Sequence, residues 1–159
     1  GNTSADVFSL CAHLVRNGCD LTGLRERLEN TWSMGRMRLW GRLMDRARLE
    51  RNGEIAFCRV LLEDLRQCRA LKEDLEGFVE QLRRLGGVRA AALLREDSPE
   101  LCKFSLRSYG ATDVRAAAAA LGGGGHLNAA GGTLRMTPDR AEEALLAAVN
   151  AQLDREDNI

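Results

Sequence analysis

The stretch that most limits what this chain can fold into is Gly122-Gly123-Gly124-Gly125-His126, continuing through Leu127, Asn128, Ala129 and Ala130 to Gly131 and Gly132. Six of these eleven residues are glycine. Glycine loses more backbone freedom on folding than any other residue and adds no side chain to a core. Such a run is unfavourable unless the backbone needs left-handed dihedrals or something approaches it closely. The helix-like residues 114–121 need one glycine to stop them, which leaves the others in excess. Successive N–H groups in a glycine turn can form a concave nest for an anion. His126 at its rim would then donate to a phosphate oxygen or carry a proton near neutral pH. A ligand loop is therefore preferred over a bare helix cap.

The rest of the composition narrows the choice of ligand and setting. Lys and Arg together number 23 and so do Asp and Glu, so no global field draws the chain to nucleic acid or membrane. Any such contact must be local. Lys occurs only at Lys72 and Lys103, and arginine, the dominant base, suits two-pronged phosphate contacts. The five cysteines, Cys11, Cys19, Cys58, Cys68 and Cys102, are odd in number and include no C-x-x-C pair. That argues against a disulfide framework and a structural zinc site. No signal peptide and no membrane-length apolar run is seen, so a cytoplasmic setting is expected, with no membrane partner.

Read in order, Thr3 or Ser4 caps a first helix whose apolar stripe is Val7, Phe8, Leu10, Cys11, Leu14 and Val15. A second short helix fits residues 21–28. The spacing predicts a long helix over 33–49, with Met34, Met37, Trp40, Leu43, Met44 and Ala47 on one face and Trp32 and Trp40 exposed. Its arginines, Arg36, Arg38, Arg42, Arg46, Arg48 and Arg51, outnumber Asp45 and Glu50, but a solvated helix is preferred over a nucleic-acid track. A turn at 51–54 leads to a strand over 55–62. An amphipathic helix over 71–85 turns Leu75, Phe78, Val79 and Leu82 inward. Strands over 88–95 and 101–108 flank a hairpin loop at 97–100. In the second strand Lys103, Ser105 and Arg107 share one face. An alanine-rich helix capped by Thr112 or Asp113, the glycine loop, a last strand over 132–136 and a helix from Pro138 to about Leu153 complete the chain, with a frayed acidic tail. The order predicts an α/β fold, a mixed β-sheet with flanking helices, preceded by an N-terminal helical segment. If the 101–108 strand is central, Arg107 and His126 share a rim.

The glycine stretch resembles the GGGH-x-x-AAG signature of the DHHA1 domain, the C-terminal half of DHH-family phosphoesterases. Ser105-Leu106-Arg107-Ser108-Tyr109-Gly110 and Asp113-Val114 resemble that family's S-x-RS-x-G…DV segment upstream. Together these motifs cover about a third of the chain, and RecJ-like nano-RNases and phosphatases of 3′-phosphoadenosine 5′-phosphate are the nearest in kind. The resemblance divides the chain into 1–50, the helical end of a DHH domain with a linker helix, and 51–159, a substrate-binding DHHA1 domain. Asn2-Thr3-Ser4 then resembles the segment that closes the DHH domain, so the N-terminus of a larger protein is expected to be missing.

By the same resemblance the substrate is a short oligonucleotide or a phosphorylated nucleotide. It would be held by Arg107, Ser108, Gly122, Gly123, Gly124, Gly125, His126 and Asn128. Ser108 and Asn128 are the weaker members, since both residue types commonly stabilise turns. Tyr109 stands where nano-RNase-like members often carry Lys, which removes a charge and adds a ring face; Leu127 replaces a frequent Pro. Hydrolysis by a metal pair needs clustered carboxylates and histidines, whereas this chain has only His13 and His126. Catalytic residues and a manganese site are thus expected on the DHH domain, with no cofactor on this chain and the fragment alone inactive. A homodimer is a further implication. The rivals are a nucleic-acid-binding accessory module like the C-terminal domain of alanyl-tRNA synthetases, a RecJ-type single-strand exonuclease fragment, and a purely structural dimerisation domain.

Overall fold

A computed structural model describes residues 4–158, which divide into two compact units with the sequence boundary after Trp32. The first holds α1 (Ala5–Arg16) and α2 (Leu21–Glu29). Each starts on a side-chain cap, Ser4 accepting from the Val7 amide and Asp20 from the Gly23 amide. The α1 stripe faces solvent in this unit, Phe8 being 68% exposed. Asn2 and Thr3, and with them the alternative cap and most of the proposed closing segment, lie outside the described residues.

The second unit is a six-stranded sheet covered by helices on both faces. Its elements are α3 (Met34–Arg46), β1 (Arg48–Glu50), β2 (Ile55–Val60), α4 (Leu62–Cys68), α5 (Phe78–Leu82), β3 (Ala90–Ser98) and β4 (Leu101–Ser108). Then follow α6 (Val114–Ala120), β5 (Gly124–His126), β6 (Ala129–Leu134) and α7 (Pro138–Asp157). Strand order is β1-β2-β3-β4-β6-β5, with β2 and β3 parallel and every other pair antiparallel. This is the mixed α/β architecture expected from the sequence. The period-2 alternation sorts each strand between two cores. Phe57, Leu94, Phe104 and Leu106 pack beneath α6 and α7. Ala56, Cys58, Val60 and Leu93 pack beneath α3, α4 and α5.

Several local expectations give way to this packing. The helix over 33–49 stops at Arg46, because Arg48–Glu50 pairs with β2 as an edge strand. Its buried face is Gly35, Leu39, Trp40 and Leu43, not the methionine face. A Cβ on Gly35 would strike the Arg69 carbonyl, so the helix rests there on backbone. Met34, Met37 and Met44 consequently face outward, whereas Trp40 is buried, donates to the Asp74 carbonyl at 2.7 Å and meets Phe78 edge-on. The helix over 71–85 is broken in two: a 3-10 turn, Lys72–Leu75, then Gly77 at φ 84°, then α5. The inward set Leu75, Phe78, Val79 and Leu82 is nevertheless buried.

Helix α4 had no sequence expectation. The acidic tail is helical through Asp157, where Asp154 and Asp157 accept from Arg51 and Glu156 accepts from Arg89 at 3.0 Å. Those ion pairs hold the end that was expected to fray. No helix among the described residues is long and apolar enough to cross a membrane.

Candidate functional site

The glycine stretch is a β-hairpin rather than an open loop. α6 ends in a Schellman motif: the Gly122 amide donates to Ala119 O and the Gly123 amide to Ala118 O, with Gly122 at φ 74°. Those two N–H groups are taken by the helix end, so they form no nest for an anion. Gly124–His126 then runs as the edge strand β5 against β6, joined by the two-residue turn Leu127-Asn128.

Close packing explains most of the remaining glycines. A Cβ on Gly123 would strike the Gly131 carbonyl, and one on Gly132 would lie 2.8 Å from the Phe104 ring. On Gly125, at φ 145°, it would lie 2.6 Å from the Ala130 Cα. Gly124 is the exception: a Cβ there meets nothing within 4 Å, and the residue is exposed.

Register brings two of the expected site residues to one face. His126 pairs with Ala129 and Ala129 with Arg107, so the three stand in a row across β5, β6 and β4. Residues directly opposite across strands share a face, which places Arg107 and His126 on the same side, two strand spacings or about 10 Å apart. Arg107 lies at one end of a cleft of about 580 Å³ lined also by Lys72, Glu80, Arg95, Lys103 and Ser105. His126 stands on the exposed edge beyond it.

Arg107 is braced before any ligand arrives. Its Nε donates to Glu80 Oε1 at 2.7 Å and its Nη1 to the Leu106 carbonyl at 2.9 Å. Three residues on from Glu80, Arg83 donates to the Ser108 carbonyl at 3.1 Å and covers the Tyr109 ring, 4.0 Å from its centroid. The polar side of α5 therefore meets the Arg107–Tyr109 segment in two places. Glu80 and Arg83 were not among the expected site residues. Their i, i+3 spacing puts them on one helix face, but nothing local shows that β4 lies opposite.

Ser108 and Asn128 are turned inward. Ser108 is fully buried, its Oγ donating to the Thr112 carbonyl at 2.7 Å and accepting from Asn128 Nδ2 at 2.9 Å. Asn128 also donates to the Gly110 carbonyl at 3.1 Å. This network ties the end of β4 to the β5–β6 turn.

The arginines of 36–51 are largely occupied within the fold. Arg42 and Arg46 pair with the buried carboxylate Asp64 at 3.0 and 2.5 Å, and Arg48 pairs with Glu50 and Glu142. Arg51 binds Glu54, Asp154 and Asp157. Among the described residues, no three His, Cys, Asp or Glu side chains converge as a metal centre would need. The groups present do not fit a bound manganese pair.

Three comparisons bear on this arrangement. Residues 59–155 match the DHHA1 domain family. The bifunctional oligoribonuclease and PAP phosphatase NrnA of Thermus thermophilus is 33% identical over 155 residues, covering 97% of this chain and 46% of that protein. An exopolyphosphatase-related protein of Bacteroides fragilis superposes with a TM-score of 0.85 at 29% identity, over 94% of this chain and 44% of that one. A pGpG-specific phosphodiesterase of Vibrio cholerae shares the fold with a TM-score of 0.52 at 14% identity, over 96% of this chain and 53% of that one. The chain spans about half the length of the relatives it matches.

Proposed function

Because this chain belongs to the DHHA1 domain family, we propose that it is the substrate-holding part of a DHH-family phosphoesterase acting on short oligonucleotides or 3′-phosphoadenosine 5′-phosphate. The observation that carries the reading is the shared row of Arg107 and His126 beside a cleft also lined by Lys72, Arg95 and Lys103, three cations that share the single carboxylate Asp97. Arg107 offers a planar fork to a phosphate, and charge-assisted bonds of that kind are the strong ones. His126 adds a ring donor from the strand edge, and Gly124 lets a ligand approach the backbone there, while Gly125 serves by packing against Ala130. Gly122 and Gly123 serve by ending α6, and Ser108 and Asn128 serve by bracing the rim.

Hydrolysis itself is assigned to an accompanying DHH domain carrying manganese, in a cytoplasmic enzyme that acts as a dimer, with this chain alone inactive. The similarity to a curated oligoribonuclease and PAP phosphatase supports the choice of short substrates. The principal rival, an accessory module tracking long nucleic acid along 36–51, relies on Arg42, Arg46, Arg48 and Arg51, which are paired with carboxylates just as Arg107 is paired with Glu80.

Competition binding separates the two. A 5′-phosphorylated dinucleotide should displace a labelled long single strand fully, with a shallow dependence on salt. Retention of the long strand with a slope of several counterions would instead favour the module.

A further inference from the structure

Phosphate contacts alone would serve an inorganic polyphosphate as well as a nucleotide. We propose that Tyr109, backed by Arg83, is a stacking platform for the base of a nucleotide whose phosphate Arg107 holds. The inference rests on the phosphate grip just described and adds what makes the site select a base-bearing ligand.

Four observations converge. Along β4 the side chains of Lys103, Ser105 and Arg107 face the cleft and Ser108 is buried on the other side. The next residue, Tyr109, returns to the side of α5, where Arg83 meets it. The Arg83 guanidinium lies 4.0 Å from the ring centroid and is itself held by the Ser108 carbonyl, so the ring is fixed from one side. Despite that cover Tyr109 is 52% exposed, which leaves ring surface away from Arg83 open to a ligand. Finally, Arg107 and Tyr109 are two residues apart, or about 7 Å along an extended chain. A phosphate on the first therefore leaves its own base within reach of the second.

Every base has a π-face, so such a platform is indifferent to base identity and selects only against ligands that have none. A cation on the far face of the ring also keeps a positive charge beside the phosphate, at a point where the tyrosine itself supplies none.

Tyr109 is the single tyrosine of the chain, which makes its ring protons a direct reporter. NMR titrations of the intact chain would use 5′-phosphorylated diadenylate and, separately, tripolyphosphate. The platform predicts upfield ring-current shifts of the Tyr109 protons with diadenylate only. It also predicts that Tyr109→Leu lowers the ratio of diadenylate to tripolyphosphate affinity by roughly 5- to 150-fold, whereas Tyr109→Phe keeps that ratio. Binding of both probes with unmoved Tyr109 signals and an unchanged ratio in Tyr109→Leu would overturn the platform and leave the phosphate grip standing. No binding of either probe would overturn the grip and, with it, the platform.

Discussion

Arg107 and His126 stand in one row of the sheet with only Ala129 between them, although nineteen positions separate them in sequence. The row exists because β6 returns beside β4 and carries β5 on its outer edge. A cationic fork and an imidazole thus stand on rigid strands, an arrangement more precise than two loops would give.

The same fork is partly neutralised by Glu80, whose Oε1 accepts from Arg107 Nε while Oε2 is buried without a partner among the described residues. Glu80→Gln keeps an acceptor for Arg107 and removes the opposing charge. Tripolyphosphate and dinucleotide should both bind about 3- to 10-fold more tightly, the scale of one partly screened charge a few ångströms away. Equilibrium titration checks this; weaker binding of both would mean that Glu80 serves mainly to hold the fork in position.

Glycine-to-alanine exchanges separate packing from ligand approach. Gly132→Ala drives a methyl into the Phe104 ring and should cost roughly 1–3 kcal/mol in thermal or urea unfolding. Gly124→Ala meets no neighbour and should leave the melting temperature nearly unchanged, yet weaken dinucleotide binding. Unaltered binding in a stably folded Gly124→Ala chain would place the ligand elsewhere on the rim.

Acid should loosen the clamp between α3 and α4. Burial pushes the Asp64 carboxyl up, but hydrogen bonds from Arg46 and the Leu61 amide and the charges of Arg46 and Arg42 outweigh it, holding the group below its ordinary value of 3.8. A carboxylate depressed in the folded state stabilises fully above its unfolded value, and that stability is lost as pH falls through the folded one. Asp64→Asn should therefore cost about 1–3 kcal/mol at pH 7, discounted for the one-third exposure of its arginine partners. The gap to the wild type should close as pH falls below the ordinary carboxylate range. Urea midpoints measured against pH check this; a gap that stays constant into acid would mean that Asp64 acts by packing alone.

What could be read from the residues was set by whether the cause was local. Ser4 at the start of α1, Pro138 at the start of α7 and the alternation of β4 needed only neighbours in sequence, and the structure agrees with each. The face of α3 could not be read that way, because it is decided by Gly35 resting on the Arg69 carbonyl, which only folding brings near. The glycine stretch stood out as a constraint, yet most of its glycines answer to Gly131 and Ala130 across the hairpin or to Phe104 on β4. Ligand chemistry and close packing leave the same mark in composition. Glu80 and Arg83 went unnoticed for a related reason: on α5 they read as an ordinary solvated face until β4 supplies Arg107 and Tyr109.

The most direct test of the central claim is calorimetric titration of a 5′-phosphorylated dinucleotide into the intact chain and into its Arg107→Ala and His126→Ala variants, all verified as folded by their melting curves. Binding by the wild type that falls at least tenfold in each variant, about 1.4 kcal/mol or more, is the predicted result. Variants that bind as the wild type does, or a wild type that does not bind, would contradict a ligand shared by Arg107 and His126.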